Sequence, residues 1–166
     1  ARASSGRDKI AFCGYHGWHD WYLAANLRAD DPLGDHLLSG LDPEGLPEGL
    51  RGTALPFHYN DLSGMQEIIN GNPGEIAAIV MEPVRSSQPE DGFLEQVRKI
   101  ANENDCVLIF DEVSMGFRLA AGGAHLNYGV NPDVAVFAKG MSNGYPMAAL
   151  IGRADVMTAA QSTFIS

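Results

Sequence analysis

The sequence contains few lysine and cysteine residues. Its 166 residues include three lysines, Lys9, Lys99 and Lys139, and two cysteines, Cys13 and Cys106. The formal net charge is -10, which argues against a nucleic-acid or acidic-membrane surface because both need clustered Lys and Arg. Both cysteines lie in apolar, strand-like runs. We therefore expect buried thiols in a reducing compartment, and a cytoplasmic protein.

Long apolar runs are also missing. No run approaches the roughly 20 residues of a membrane span, and no signal peptide is visible, so we expect no membrane partner. Hydrophobic residues make up 45% and charged residues 19% of the chain, which is typical of a globular α/β protein. The chain begins without methionine and stops within an apolar stretch at 163–166. We expect it to be part of a longer protein.

Short apolar runs alternate with helical patterns along the chain. Strands are predicted at residues 9–13, 53–59, 76–81, 107–110, 134–138 and 147–151. Helices are predicted after a capping residue at Asn60 or Asp61, after a capping residue at Asp91, and over residues 154–161. A long loop is predicted over residues 28–52. This alternation predicts an α/β fold with a mainly parallel sheet. The connection before the last strand is too short for a parallel crossover, so that strand is predicted to be antiparallel.

Three predicted strands lead directly into a charged residue. Glu82 follows one apolar run, Asp111 the next, and Lys139 a third. The carboxyl ends of the strands in an open parallel sheet line one edge, where ligands bind. Each residue alone is equally consistent with an ordinary salt bridge at a strand end. The three together favour a binding site.

Lys139 differs from the other two lysines, because only Lys139 has apolar and small neighbours on both sides. Such surroundings favour the neutral amine, which is the form that condenses with a carbonyl to give a Schiff base. A carboxylate from a neighbouring strand, such as Asp111, suits the ring of pyridoxal phosphate. It keeps the ring nitrogen protonated, so that the ring withdraws electrons from the substrate.

Two other interpretations of these residues lack the further motifs that they require. An apolar strand ending in Asp111 and Glu112 also resembles the Mg-binding strand of nucleotide hydrolases, but those enzymes need a GxxxxGK[ST] loop that these residues lack. His16 and His19 are spaced as a possible metal pair, but no third ligand cluster accompanies them, so no metal is expected. The aromatic residues of 15–21 either cover an apolar surface or stack on a flat ligand ring.

Several motifs occur together in one order along nearly the whole chain. They are GYHGWHD at 14–20, MEPV at 81–84, LIFDEV at 108–113, GFR at 116–118, GG at 122–123, YGVNPD at 128–133 and AKG at 138–140. This ordered set resembles the class III aminotransferases, and the 28 residues from Asp111 to Lys139 also fit that family. Within that family, these motifs look most similar to those of the glutamate-1-semialdehyde aminomutase-like members.

The resemblance implies roles for several residues. Lys139 is expected to form the Schiff base and to move the Cα proton, and Asp111 to bind the pyridine nitrogen. Val113 is expected on one face of the ring and Tyr15 on the other, with His16 nearby.

Other residues are assigned less specifically by the resemblance. Glu82 is expected to lie behind the cofactor, and Ser114 to occupy a position where several members have a glutamine that contacts the ring hydroxyl. Glu112 fits a structural ion pair at least as well as a direct role. Arg85 and Arg118 fit contacts to an acidic substrate and surface positions equally well.

The resemblance also implies the larger context. Residues 1–166 are expected to be the central part of the large pyridoxal phosphate-binding domain, a three-layer sandwich, without the N-terminal phosphate loop and the C-terminal small domain. The full-length protein is expected to be a homodimer that transfers amino groups between an amino donor and a carbonyl acceptor. The alternatives are intramolecular transfer, as in a glutamate-1-semialdehyde aminomutase, and a binding module without catalysis. This chain alone is expected to be inactive.

Overall fold

The computed structural model describes residues 1–28, 33–34 and 39–162. Its helices and strands are, in chain order, α1 (Arg2–Ser5), β1 (Lys9–Cys13), α2 (Asp20–Leu23), β2 (Ala54–Pro56), α3 (Leu62–Gly71), β3 (Ile76–Met81), α4 (Phe93–Glu103), β4 (Val107–Asp111), β5 (Val134–Phe137), β6 (Ala149–Gly152) and α5 (Ala154–Met157). Short 3-10 helices cover Ala24–Leu27, Glu48–Leu50, Ala124–Tyr128, Lys139–Met141 and Thr158–Ser162. None of the described helices is long and apolar enough to cross a membrane. Part of the predicted 28–52 loop, and the apolar stretch at 163–166, lie outside the described residues.

The strands of the described chain form one six-stranded sheet in the order β2-β1-β3-β4-β5-β6. Four of the five strand pairs are parallel, and only β5 and β6 are antiparallel. The predicted α/β fold is therefore confirmed, and so is the antiparallel direction of the last strand. The short connection between β5 and β6 leaves room for a turn but not for a crossover helix.

The strands bury both of their faces. In β1, Ala11 and Cys13 belong to one apolar cluster, whereas Ile10 and Phe12 belong to another. Successive residues of a strand point to opposite faces, so the two clusters lie on opposite sides of the sheet. Helices α3 and α4 contribute to the first cluster with Met65, Ile69, Leu94, Val97 and Ile100. Residues around α2 contribute to the second with Tyr22, Ala24, Ala25 and Leu27. The sheet is thus enclosed between helical layers, which is the predicted three-layer arrangement.

Helix starts and strand ends were predicted with mixed success. Asp61 caps α3, because its carboxylate accepts a hydrogen bond from the Gly64 N–H at 2.9 Å. The predicted cap at Asp91 is wrong. Gly92 occupies the position before α4 in a left-handed conformation, and this helix start has no side-chain capping hydrogen bond. The predicted strand at 53–59 is shorter, because β2 lies at the edge of the sheet and pairs with β1 from Ala54 to Pro56. The chain then turns at Asn60, where φ is 64°, before α3 begins.

A buried carboxylate fixes the strands that carry Asp111 and Lys139. Asp133, directly before β5, is 5% exposed. Its Oδ2 accepts hydrogen bonds from the Leu108 N–H at 2.8 Å and from Arg98 at 2.9 Å, and its Oδ1 accepts one from Arg153 at 2.8 Å. One side chain thereby joins α4, β4, β5 and the end of β6.

Replacing this carboxylate should destabilise the fold. We expect Asp133→Ala to lower the free energy of unfolding by about 3 kcal/mol, because it leaves the partly buried Arg98 guanidinium and a strand N–H without their acceptor. Denaturant unfolding of the protein measures the change. Asp91→Ala, at an exposed aspartate, is the control and should change the free energy by less than about 0.5 kcal/mol. Equal effects of the two substitutions would contradict this role of Asp133.

Candidate active site

The parallel register brings the ends of four strands to one edge of the sheet. Cys13 at the end of β1 pairs with Met81 at the end of β3, Met81 pairs with Phe110, and Asp111 pairs with Val136 in β5. The residues just after these positions therefore lie along the same edge. The charged groups that the sequence singled out, Glu82, Asp111 and Lys139, all occupy this edge.

The first contact at this edge joins His16 to Asp111. His16 Nδ1 lies 2.8 Å from Asp111 Oδ2, and His16 Nε2 lies 2.9 Å from the carbonyl oxygen of Cys13. The histidine side chain is 3% exposed and the aspartate side chain 17%. Both ring nitrogens therefore face oxygen atoms that accept hydrogen bonds. The ring is therefore held between a carboxylate and a backbone carbonyl, which fixes its orientation at this edge.

The Asp111 carboxylate retains capacity for a further partner. Its Oδ1 accepts one hydrogen bond from the Val113 N–H at 3.0 Å, and its Oδ2 is bonded to His16. Each carboxylate oxygen accepts about two hydrogen bonds, so neither oxygen is saturated by the protein. A protonated nitrogen of a ligand is the partner that such a carboxylate binds best.

Lys139 follows β5 at the neighbouring strand end. It opens the 3-10 helix Lys139–Met141 with a φ of 42°, in the left-handed region that residues other than glycine rarely adopt. Its Nζ donates a hydrogen bond to Ser114 Oγ at 3.0 Å. The side chain is exposed, which differs from the apolar surroundings expected from its sequence neighbours. The small residues around it turn away from the core as soon as the strand ends.

Glu82 forms an ion pair with Arg85 in the turn after β3. Arg85 Nε lies 3.3 Å from Glu82 Oε2, and the two side chains are 22% and 15% exposed. Burial raises the pKa of Glu82, while the charges of Arg85, His16 and Lys139 oppose that rise and the charge of Asp111 adds to it. The groups at this edge therefore act on one another through space.

Close packing holds this ion pair against the end of β1. A Cβ on Gly14 would lie 2.9 Å from Glu82 Oε2 and 3.1 Å from Arg85 Nη1, and Gly14 has a φ of 105°. Only glycine fits both the space and the backbone conformation. Burial also raises the pKa of the adjacent Cys13 thiol to about 11, so this thiol stays protonated near neutral pH and is not a nucleophile.

Glu112 has a structural role. It is fully buried, and its carboxylate accepts hydrogen bonds from the Ala124 N–H at 2.9 Å, from the His125 N–H at 3.0 Å and from His125 Nδ1 at 2.7 Å. These bonds connect the end of β4 to the 3-10 helix Ala124–Tyr128. This agrees with the structural ion-pair interpretation of Glu112.

Tyr15 and Arg118 lie near the edge with different neighbours. The ring of Tyr15 contacts Trp18 and Tyr22, with centroid distances of 5.1 and 5.8 Å. The structure therefore brings His16, and not Tyr15, into contact with Asp111. The stem of the exposed Arg118 passes 3.5 Å from the position of a Cβ on Gly140, beside the turn that carries Lys139. Among the described residues, no group of three His, Cys, Asp or Glu side chains is arranged to hold a metal ion.

Three of these side-chain pairings were not predicted from the sequence. The Glu82–Arg85 pair has a local signal, since the two residues are three apart in a turn that begins with proline. The His16–Asp111 pair spans 95 residues and the Lys139–Ser114 pair spans 25 residues. No local pattern indicates these two contacts, because only the strand order brings the segments together.

Comparisons with known proteins identify the family of the chain that carries this edge. The model of the family described as aminotransferase class-III matches residues 58–165. The chain belongs to this family.

Individual relatives agree with the family match. The 3-aminobutyryl-CoA aminotransferase of Cloacimonas acidaminovorans (strain Evry) is 38% identical over 173 residues, which cover 100% of this chain and 38% of the relative. The glutamate-1-semialdehyde 2,1-aminomutase of Roseiflexus castenholzii is 41% identical over 163 residues, covering 95% of this chain and 36% of the relative. The FumI protein of Sphingopyxis sp. MTA144, solved in its PLP internal aldimine form, superposes with a TM-score of 0.81 at 26% identity, covering 99% of this chain and 38% of that chain. The present chain thus spans less than half the length of these relatives.

The buried placement of Glu82 has a measurable consequence for stability. Its ordinary pKa is 4.5 and the folded value is higher, so the folded chain binds this proton more tightly than the unfolded chain. The stability that Glu82 contributes is therefore greatest below pH 4.5 and declines as the pH rises through the folded pKa. Glu82→Gln removes this titration. We expect the free energy of unfolding of the wild type, minus that of Glu82→Gln, to fall with rising pH across this window.

Denaturant unfolding at a series of pH values from about 4 upwards measures this difference. Glu67→Gln, at an exposed glutamate of α3, is the matched control. A difference for Glu82 that rises with pH over the same range would contradict the buried placement.

Proposed function

We propose that the protein carrying this chain is a pyridoxal phosphate-dependent transaminase, with Lys139 as the residue that attaches the cofactor and Asp111 as the partner of its ring nitrogen. The observation that carries the proposal is the His16–Asp111 pair at one strand end, beside the Lys139 amine at the next. The family membership of the chain supports it. Pyridoxal phosphate is the cofactor of this family, and it supplies an aldehyde that condenses with an amine, releasing one water, and a ring that accepts the electrons of the substrate Cα–H bond.

The residues at the edge fit this cofactor. Asp111 offers unsaturated carboxylate oxygens for a protonated ring nitrogen, and Lys139 offers an exposed primary amine. Val113 is half-buried in the turn after Asp111, and we propose that it contacts one face of the ring. Tyr15 belongs to the aromatic group beside His16, and we propose that it, together with His16, covers the other face.

Asp111 and His16 act as one unit in this proposal. The carboxylate would bind the protonated ring nitrogen of the cofactor, and His16 orients that carboxylate through the contact of its Nδ1. The second bond of His16, to the Cys13 carbonyl, fixes the plane of the imidazole. Glu82 and Arg85 form an ion pair at the same edge, so their opposite charges largely cancel.

Lys139 has two tasks in this proposal. Its Nζ would hold the cofactor covalently, and the same Nζ, once free, would accept a proton from the substrate Cα and return it. A lysine on a turn that is fixed at both ends suits this exchange, because the amine stays near the reacting atoms after its release.

A second candidate function is intramolecular amino transfer. Relatives named glutamate-1-semialdehyde 2,1-aminomutase are 41% identical to this chain, which is slightly more than the 38% of the aminotransferase named above. Both reactions would use Lys139 and Asp111 in the same way. They differ in whether the substrate leaves between the two halves of the reaction. Assays of the full-length protein with glutamate-1-semialdehyde, and with a panel of amino donors and keto acceptors, separate the two.

We propose that residues 1–166 are the central part of a larger cofactor-binding domain, with further binding residues outside it. Phe117, Leu119 and Leu126 are exposed apolar side chains in the segment between β4 and β5, and we propose that a second copy covers them in a homodimer. The free, buried thiols of Cys13 and Cys106 support a reducing, cytoplasmic compartment.

The role of Lys139 is tested by substitution. In the full-length protein, Lys139→Ala should eliminate the covalent attachment of pyridoxal phosphate and lower turnover by more than about a thousandfold, since a positioned amine replaces a bimolecular encounter. Borohydride reduction followed by peptide mass spectrometry locates the attached lysine. Lys99→Ala, at an exposed lysine of α4, should retain both properties. Attachment and turnover that survive in Lys139→Ala would refute the assignment.

The role of His16 is tested by removing both of its hydrogen bonds. We expect His16→Phe in the full-length protein to lower kcat by about 10- to 100-fold, the range for loss of a charge-assisted hydrogen bond, with little change in the KM for the amino donor. Steady-state kinetics and cofactor titration measure these effects.

The matched control for this substitution is His19→Phe, because the ring of the exposed His19 packs on Trp21. If both variants behave alike, the proposed coupling of His16 to Asp111 is wrong.

A further inference from the structure

The hydrogen bond between Lys139 and Ser114 has no part in the function proposed so far. Lys139 Nζ donates to Ser114 Oγ at 3.0 Å, across 25 residues of sequence. The lysine is exposed and the serine half-buried. A long lysine stem with four rotatable bonds samples many rotamers when its amine is free in solvent. A direct bond to a side chain of another segment restricts that freedom.

The backbone on the lysine side is strained. Lys139 has a φ of 42°, in the left-handed region, directly after the extended residue Ala138. A residue with a side chain persists in this conformation only where its surroundings enforce it, and such positions concentrate at functional sites. The strain therefore sets the direction in which the lysine leaves the strand.

The serine side is anchored to the same edge. Asp111 Oδ1 accepts the Val113 N–H at 3.0 Å, and the Glu112 carbonyl accepts the Gly116 N–H at 2.8 Å. These two bonds close the turn on which Ser114 lies. The carboxylate proposed to hold the cofactor ring thus also orients the backbone that presents the serine hydroxyl.

The two turns touch through glycines. A Cβ on Gly140, next to Lys139, would lie 2.9 Å from the Gly116 carbonyl oxygen. A Cβ on Gly116 would lie 2.7 Å from the Glu112 carbonyl oxygen and 2.7 Å from the Phe137 ring. Both positions therefore have space for glycine only. The close backbone contact sets the separation of Ser114 and Lys139, so their hydrogen bond follows from the packing of the fold.

We infer that Ser114 is a positioning residue for the Lys139 amine, an inference that rests on the proposed function. The serine hydroxyl holds Nζ whenever the lysine is not covalently attached, both before the cofactor is loaded and after the substrate amine has displaced the lysine. When the cofactor is loaded, Nζ forms a C=N bond with the aldehyde carbon and the aldehyde oxygen leaves as water. Ser114 neither gains nor loses a proton in this step. Its effect is to limit the conformations from which the amine starts.

The experiment compares two substitutions of nearly equal shape. Ser114→Thr keeps the hydroxyl, whereas Ser114→Val replaces it with a methyl group, so the pair differs in the hydrogen bond alone. Each full-length variant is prepared without cofactor and mixed with pyridoxal phosphate. The rate of covalent attachment to Lys139 is followed by absorbance and assigned by borohydride trapping and peptide mass spectrometry. Ser63→Ala, at an exposed serine of α3, serves as the distant control.

We expect Ser114→Val to slow attachment by about three- to tenfold, the loss that corresponds to one hydrogen bond, and Ser114→Thr and Ser63→Ala to stay within about twofold of the wild type. In the loaded enzyme, Ser114→Val should lower kcat by a similar factor without raising the KM for the amino donor, because the serine acts on the lysine and not on the bound substrate. Thermal unfolding of all variants establishes that the folded state is retained. Ser114→Ala, which adds no bulk, replaces Ser114→Val if the valine variant does not fold.

The outcomes separate this inference from the proposed function. If the wild type forms no covalent bond at Lys139, the proposed function fails and the inference fails with it. If the wild type loads normally and the valine or alanine variant loads at the rate of Ser114→Thr, only the positioning role of Ser114 is overturned. The positioning role is supported if cofactor attachment is slower in Ser114→Val but stays near the wild-type rate in Ser114→Thr.

Discussion

The site depends on the parallel register of β1, β3, β4 and β5. Parallel strands point their carboxyl ends to one edge, and the observed pairing aligns Cys13, Met81 and Phe110 across three of these strands. Residues that are far apart in sequence therefore end within hydrogen-bonding distance. A shift of one residue in β1 or β4 would turn its side chains to the opposite face and separate His16 from Asp111. Asp133 protects this register, because one buried carboxylate bonds to β4, α4 and Arg153 together.

The charges at this edge are partly buried and largely compensate one another. Glu82 pairs with Arg85, and Asp111 pairs with His16. A partly buried ion is costly unless it is paired and hydrogen-bonded, and here each carboxylate has at least one such partner. The one cation of the group that lies exposed is Lys139, whose Nζ is bonded to a neutral hydroxyl. This distribution leaves an amine available for chemistry while the carboxylate beside it remains fixed.

The turns that present the site are held by the fold from both sides. Glu112 is bonded to Ala124 and His125, and Gly116 and Gly140 bring two turns into backbone contact. The Phe117 ring lies 5.7 Å from that of Phe137, at the end of the strand before Lys139. Side chains on loops are positioned accurately only when the loops themselves are packed and hydrogen-bonded. The structure meets this requirement with buried polar bonds and glycine contacts.

Much of the fold could be predicted, because apolar runs and the turn residues that bound them are local features of the sequence. The runs at 76–81 and 107–110 indicated buried strands, and the short connection after 134–138 indicated an antiparallel neighbour. The observed strands agree, with ends that differ by one or two residues. The cap at Asp91 and the full strand at 53–59 were wrong, because Gly92 in a left-handed conformation precedes α4, and because β2 lies at the edge of the sheet and pairs with β1 from Ala54 to Pro56.

The candidate site, too, could be predicted only in part. The sequence by itself determined that Glu82, Asp111 and Lys139 stand at strand ends, because the position of a residue in a run of apolar residues is a local property. Only the tertiary structure decided their partners: His16 with Asp111, Ser114 with Lys139 and His125 with Glu112. These contacts depend on the order of the strands in the sheet and on the turns that pack beside them. Hydrogen bonds form between groups that are close in space, and distance along the chain does not determine that closeness.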